Sequence, residues 1–194
     1  MEKNRLEAFS DGVLAIIITI MVLELKVPGG SDLTALRPLL PVFSSYLLSF
    51  LYVGIYWNNH HHMLHSTRHV NGGILWANLH LLFWLSLLPV TTAWMGGNYR
   101  AHAPAAIYGI VLLMASIAYY ILQRSIIAQQ GPNSLLSAAI GRDWKGKLSP
   151  VCYLTAIPLA FVSSWLANGL YLFVALIWLV PDRRIERILA PRAE

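Results

Sequence analysis

Charge is scarce in this 194-residue sequence. Charged residues make up only 12% of it, about half the usual share in soluble proteins, whereas 57% of the residues are hydrophobic. The mean hydropathy of +0.56 points the same way. A composition this apolar excludes both an intrinsically disordered chain and a soluble domain. It also argues against nucleic-acid binding, despite a pI near 9.5.

Cysteine pairs and the common catalytic motifs are also missing. Cys152 is the only cysteine, so no intramolecular disulfide can form. The sequence contains no glycine-rich phosphate loop, no nucleophile elbow and no paired carboxylate motif. We therefore expect a protein that is not an enzyme and that needs no cofactor.

Long apolar runs dominate what is present. A helix that crosses the hydrocarbon core of a bilayer needs about 20 mostly apolar residues. The last run is interrupted at Ser163–Trp165 and at Ala167–Gly169, and its Asn-Gly pair is a strong turn signal. We predict a single all-α membrane domain over residues 1–194, with six spans at residues 6–25, 38–62, 73–95, 103–124, 149–165 and 168–181.

The basic residues indicate the orientation of these spans. With six spans and a cytoplasmic N-terminus, 11 of the 14 Lys and Arg residues lie on the cytoplasmic side. The remaining three, Lys26, Arg37 and Arg100, lie outside. A five-span arrangement would divide the basic residues equally between the two sides. The positive-inside rule therefore predicts six spans with both termini in the cytoplasm.

The first apolar segment also carries polar residues. Asp11 lies about 140° around a helix from Ile16, and Ser10 lies about 120° away on the other side. An ionisable residue in a membrane helix is costly and marks a functional position, although Ser10 and Asp11 could also cap the helix. We expect both to find partners inside the subunit. The opposite face presents mainly branched apolar side chains, namely Phe9, Gly12, Ile16, Thr19, Ile20 and Leu23.

The motif Arg5-x-x-x-Phe9-Ser10-Asp11, followed by a helix rich in Ile, Thr and Leu, resembles the signature of the transmembrane protein 175 potassium channels. The resemblance extends over the whole chain, because six spans accompany the motif and Trp57, Asn59 and a run of histidines end the second span. It implies a potassium-preferring cation channel in the cell membrane of a prokaryote. The implied assembly is a homotetramer, with the first helix of each subunit lining a pore that monovalent cations cross and lipids surround.

The same resemblance implies roles for individual residues. Ile16 matches the hydrophobic constriction, Thr19 a pore hydroxyl with potassium ions nearby, and Leu23 a second apolar ring. Ile20 completes this implied pore lining. The sequence has no TVGYG-type selectivity filter, so we expect only modest selectivity. An implied polar network ties the first helix to the next ones, and we assign to it Arg5, Phe9, Ser10, Asp11, Trp57, His61 and Asn78.

A histidine cluster offers an alternative function. His61 and His65 stand four residues apart and could share a helical face, as could His62, His65 and His69. A membrane metal transporter or enzyme that uses the His60–His69 cluster is therefore the rival hypothesis. Neither a cysteine nor a carboxylate lies nearby in sequence, which disfavours a zinc site. We expect most of these histidines to be solvated at the cytoplasmic boundary, with one or two turned toward Asp11.

Overall fold

The computed structural model describes residues 3–67, 69–131, 134, 136–137 and 143–179. These ranges contain no β-strand, which confirms the predicted all-α fold. A short 3-10 helix at Leu33–Leu39 precedes α2. The α-helices are α1 (Lys3–Leu23), α2 (Leu40–His65), α3 (Gly72–Ser86), α4 (Leu88–Gly97), α5 (His102–Gln130), α6 (Trp144–Val162) and α7 (Ser164–Leu179).

Among the described residues, four helical segments are long and apolar enough to cross a membrane. They are Lys3–Leu23, Leu33–His65, Gly72–Gly97 and His102–Gln130. Ser164–Leu179 is a shorter apolar helix. With α6, these segments fit the predicted count of six. The end of the last predicted span, at residues 180–181, and the C-terminus lie outside the described residues.

The third predicted span consists of two consecutive helices. α3 ends at Ser86 and α4 begins at Leu88. Pro89 lies in the first turn of α4, where its missing N–H cannot continue the helical hydrogen-bond ladder. The N–H of Leu87 bonds the carbonyl of Trp84 at 3.3 Å, a tighter turn than that of an α-helix. The proline thus interrupts the segment without reversing the chain.

The last two helices form an antiparallel hairpin, and its turn falls at the first of the two interruptions predicted from sequence. Asn168 and Gly169 lie inside α7, and the break falls at Ser163, which adopts an extended backbone with φ −159° and ψ 120°. The Ser164 hydroxyl donates to the carbonyl of Tyr99 at 3.2 Å, which fixes the start of α7. Tertiary packing therefore overrides the turn preference of Asn-Gly, and the break lies just before the predicted boundary at residues 165–168.

Close packing in the subunit core depends on small side chains and hydroxyls. The Ser49 hydroxyl lies 2.6 Å from that of Thr92 and 2.9 Å from that of Tyr108, and these bonds join α2, α4 and α5. Gly96 brings α4 against α2, because a Cβ there would stand 2.8 Å from the Cα of Val42. α1 packs against α2, α3 and α4, while α5 packs against α3 and α6. The core thus leaves α1 at one side of the subunit.

Candidate pore face and polar network of α1

α1 buries one face and exposes the rest of its circumference. The buried residues recur every three or four positions, as expected for a single helical face: Leu6, Ser10, Leu14, Ile17 and Met21. On the opposite side, Ile16 is 58% exposed and Leu23 is 81% exposed. Gly12, Thr19 and Ile20 are exposed as well. The exposed positions match the apolar face predicted from sequence, whereas Asp11, which was predicted to find its partner inside the subunit, is exposed as well.

A chain of hydrogen bonds runs from the buried face of α1 into the core. The Ser10 hydroxyl donates to the carbonyl of Leu6 at 2.8 Å and accepts from the Asn78 amide at 3.0 Å. His60 Nε2 lies 2.7 Å from Asn78 Oδ1. Because that amide oxygen can only accept, Nε2 carries the proton. Ser10, Asn78 and His60 are all fully or almost fully buried, so they join α1, α3 and α2 inside the apolar core.

Asp11 makes a second polar contact at the surface of the subunit. The indole Nε1 of Trp57 donates to Asp11 Oδ1 at 3.1 Å. Both side chains are exposed, unlike the buried group around Ser10. His61 stacks on the Trp57 ring with centroids 6.4 Å apart, and on His65 at 6.0 Å. The expected partner inside the subunit exists, but the carboxylate stays at the subunit boundary.

Two neighbouring histidines of α2 belong to different polar contacts: His61 stacks on Trp57 beside Asp11, whereas His60 belongs to the buried group around Ser10. His61 is exposed and has no contact with Asn78, whose histidine partner is His60. Successive residues of a helix point about 100° apart, so a shift of one position moves the imidazole from the surface into the core. Helical spacing could have identified His60 from the sequence. The buried residues of α2 recur every three or four positions and include Ser49, Tyr52, Val53, Tyr56 and His60. His61 follows Trp57 on the other face.

The remaining motif residues lie apart from these contacts. Arg5 is exposed and has no hydrogen-bond or ion-pair partner within the described ranges. Phe9 is 52% exposed on the side of α1 that carries Ile16. Of the predicted network, the structure brings together Ser10 with Asn78, and Asp11 with Trp57 and His61. It leaves Arg5 and Phe9 on the outer surface of the subunit.

The hydroxyl of Thr19 bonds its own helix. Thr19 Oγ1 donates to the carbonyl of Ile16 at 2.9 Å, one turn back. This bond uses the proton and fixes the side-chain rotamer, but it leaves the oxygen lone pairs unused. The exposed face of α1 therefore presents one oriented hydroxyl oxygen between the apolar side chains of Ile16 and Leu23. Such an oxygen can accept a contact from a cation.

The histidine cluster is divided rather than convergent. His60 bonds Asn78 in the core, whereas His61 and His65 stack at the surface. Within residues 3–67, 69–131, 134, 136–137 and 143–179, no three His, Cys, Asp or Glu side chains converge closely enough to hold a metal ion. The geometry thus gives no support to the rival metal-site hypothesis in this part of the chain.

Comparison with known proteins identifies relatives of the whole chain. A family model described as the endosomal/lysosomal potassium channel TMEM175 matches residues 5–89, which include Ser10, His60 and Asn78. A potassium channel of Chryseobacterium sp. is 58% identical over 189 residues, covering 97% of this chain and 98% of that protein. A potassium channel of Streptomyces collinus is 33% identical, covering 87% of this chain and 89% of that protein.

A solved structure is similar over nearly the same length. It is the crystal structure of a lysosomal potassium-selective channel TMEM175 homolog from Chamaesiphon minutus. The TM-score is 0.78 and the sequences are 28% identical, with 94% of this chain and 98% of that chain covered. The fold and the sequence therefore lead to the same group of proteins.

Replacing Asn78 with alanine should destabilise the subunit. The change leaves the Ser10 hydroxyl and the His60 imidazole without their buried partner, which costs about 1–3 kcal/mol of unfolding free energy. Thermal unfolding of the purified protein in detergent measures the effect. Asn98→Ala is the matched control, since Asn98 is exposed and its amide bonds only the carbonyl of Trp94 in its own helix. Equal melting temperatures for the two variants would contradict the role of the Ser10–Asn78–His60 group.

Proposed function

The chain belongs to the TMEM175 family of potassium channels, and on this basis we propose that it forms a homotetramer in which four copies of α1 surround a central pore. The family is one of multi-pass membrane channels and not of enzymes. In the proposed assembly the pore conducts monovalent cations with a preference for potassium. It lies in the cell membrane, and both chain ends face the cytoplasm.

The main support for this proposal is that α1 exposes both apolar and charged side chains. An isolated lipid-facing helix would expose apolar side chains only, yet α1 exposes both the Ile16 face and the carboxylate of Asp11. Placing a charged group in hydrocarbon costs at least about 2.5 kcal/mol. The sector that contains Asp11 therefore belongs against protein or water. An arrangement around a symmetry axis meets this need, because each α1 then faces its neighbours on one side and the pore on the other.

The proposed pore is lined by side chains at successive levels of α1. Four copies of Ile16 form the constriction, and Ile20 and Leu23 form apolar levels toward the outer end. A narrow apolar ring blocks ions when it is dry and passes them when it is wide enough to hold water. Thr19 lies between these rings, and its four hydroxyl oxygens can each replace one water around a potassium ion. One such layer replaces only part of the hydration shell of a potassium ion, so it supports a modest preference for potassium.

The proposed orientation rests on the end of the bundle where α1 begins. The Lys3 ammonium donates to the carbonyl of His65 at 2.9 Å, so the start of α1 and the end of α2 lie together. This end also carries Arg5, Arg124, Lys145 and Lys147. Basic residues concentrate on the cytoplasmic side of membrane proteins. The same end is therefore assigned to the cytoplasm, and the loops near Lys26 and Arg100 to the outside.

Ile16→Asn should raise the potassium current of the reconstituted channel. Four amides at the constriction hold water, which removes the dry barrier. The measurement is single-channel recording in planar bilayers with asymmetric potassium and sodium, and Ile16→Leu is the control that keeps an apolar ring. An unchanged current from folded Ile16→Asn tetramers would reject Ile16 as the constriction. Tetramers of the wild type that carry no current under any voltage would reject the channel function itself.

Thr19→Val should bring the permeabilities of potassium and sodium closer together. Valine keeps the β-branched shape, so packing survives, but it removes the layer of hydroxyl oxygens. The reversal potential under bi-ionic conditions reports the change. Thr155→Val serves as the control, since the exposed Thr155 also bonds its own helix but lies on α6, away from α1. A wild-type reversal potential for Thr19→Val would mean that selectivity arises elsewhere.

Asp11→Ala should lower the yield of tetramers, because Trp57 loses its acceptor at the subunit boundary. Asp11→Asn restores an acceptor oxygen and should recover part of the assembly. Size-exclusion chromatography with light scattering gives the tetramer fraction. Glu7→Ala is the matched control, since Glu7 is also acidic and on α1 but its partner is Lys3, at 3.7 Å within the same helix. Normal assembly with altered ion preference alone would place the carboxylate in the pore.

A further inference from the structure

A cleft between α5 and α6 has a lining that the proposed pore does not use. It consists of two adjacent chambers at the end of the bundle where α5 finishes and α6 begins, and both are lined by Gln123 and Asp143. The outer chamber has a volume of about 380 Å³ and the inner one about 50 Å³. Ligand sites for small molecules begin at about 300 Å³, so the outer chamber can hold a polar group of moderate size.

Groups of both charges face the outer chamber. Arg124 and Lys147 supply two cations, and Asp143 supplies a carboxylate. Asp143 caps α6, with Oδ1 accepting from the N–H of Gly146 at 3.0 Å, and it has no ion-pair partner among the described side chains. The Arg124 guanidinium lies over the Tyr120 ring at 5.0 Å and donates to the Tyr120 hydroxyl, which holds it at the wall of the chamber. A ligand with both charges would complement this wall.

A mostly buried residue, Gln123, also contributes its amide to the lining of both chambers. Gln123 is only 6% exposed, lines both chambers and has no hydrogen-bond partner among the described residues. Its NH₂ group can donate to a phosphate oxygen, and its carbonyl can accept from an ammonium. This side chain therefore distinguishes the cleft from a shallow groove between exposed charges.

The cleft opens on the side of the subunit that faces away from α1. Ile117, Val151 and Leu154 are exposed apolar side chains of α5 and α6, as expected for a lipid-facing surface. α1 packs on α2, α3 and α4 instead. In the proposed orientation the charged residues of the cleft then lie at the level of the cytoplasmic headgroups, beside the hydrocarbon of the bilayer.

We propose that this cleft binds the headgroup of a zwitterionic phospholipid of the phosphoethanolamine type, with the phosphate at Arg124 and Lys147 and the ammonium at Asp143. An anionic headgroup without an amine would leave the Asp143 carboxylate repelled. A choline headgroup has no N–H to donate to Asp143 or to the Gln123 carbonyl. The primary ammonium of ethanolamine satisfies both acceptors while its phosphate pairs with the two cations.

The test measures which lipids remain bound to the purified full-length protein. The protein is reconstituted with equal amounts of phosphatidylethanolamine, phosphatidylglycerol and phosphatidylcholine, and the lipids retained after delipidation are quantified by mass spectrometry. We expect phosphatidylethanolamine to be enriched in the wild type. Asp143→Asn keeps an acceptor for the helix cap but removes the charge, so the ratio of phosphatidylethanolamine to phosphatidylglycerol should fall about fivefold.

Asp32→Asn is the matched control, because Asp32 is exposed near the opposite end of the bundle and its side chain makes no cap bond. It should leave the ratio unchanged. Equal retention of the three lipids by the wild type, or the same ratio in Asp143→Asn as in the wild type, would overturn the proposal. So would soluble glycerophosphoethanolamine binding as tightly as the lipid, since the site would then serve a free metabolite. Potassium currents are recorded separately, so failure of the lipid site leaves the channel proposal standing.

Discussion

Ser10 and its buried partners fix the rotation of α1 about its own axis. Ser10 bonds the carbonyl of Leu6 within α1 whatever the rotation of the helix, but it accepts from the Asn78 amide of α3 only when it points inward. Leu14, Ile17 and Met21 follow on the same face and are buried with it. Because residues of a helix are spaced by about 100°, the outward direction of Ile16 and Leu23 is then determined. The proposed pore lining is thus a consequence of contacts made on the opposite side of the helix.

A pore built from an intact helix has limited chemistry. The backbone carbonyls of α1 are used in the helix itself, and the carbonyl of Ile16 accepts the Thr19 hydroxyl in addition. No ring of carbonyls is available to replace the hydration shell of an ion. The outward face offers one hydroxyl layer between branched apolar side chains. A dry constriction with a weak preference among cations is what such a surface can provide.

The sequence allowed much of α1 to be predicted, and less of the contacts between helices. The phase of Ile16 against Ser10 follows from helical periodicity alone, and the structure confirms it. The choice of His60 over His61 depends on how α2 is rotated against α3, which packing decides. The turn between α6 and α7 falls at Ser163 because the Ser164 hydroxyl bonds Tyr99, a contact distant in sequence. The cleft between α5 and α6 had no sequence signal, since Gln123 and Asp143 are 20 residues apart and polar residues at helix ends are common.

The most direct test of the pore assignment is cysteine modification along α1 in a Cys152→Ala background, with potassium current as the readout. Single cysteines are placed at Gly12, Thr19 and Leu23 on the outward face, and at Leu14, Ile17 and Met21 on the buried face. A charged methanethiosulfonate reagent is then added to the reconstituted channel. We expect block of the current at the three outward positions and no effect at the three buried ones. Block of the current at Ile17 and Met21, with no effect at Thr19 and Leu23, would contradict the assignment of the pore face.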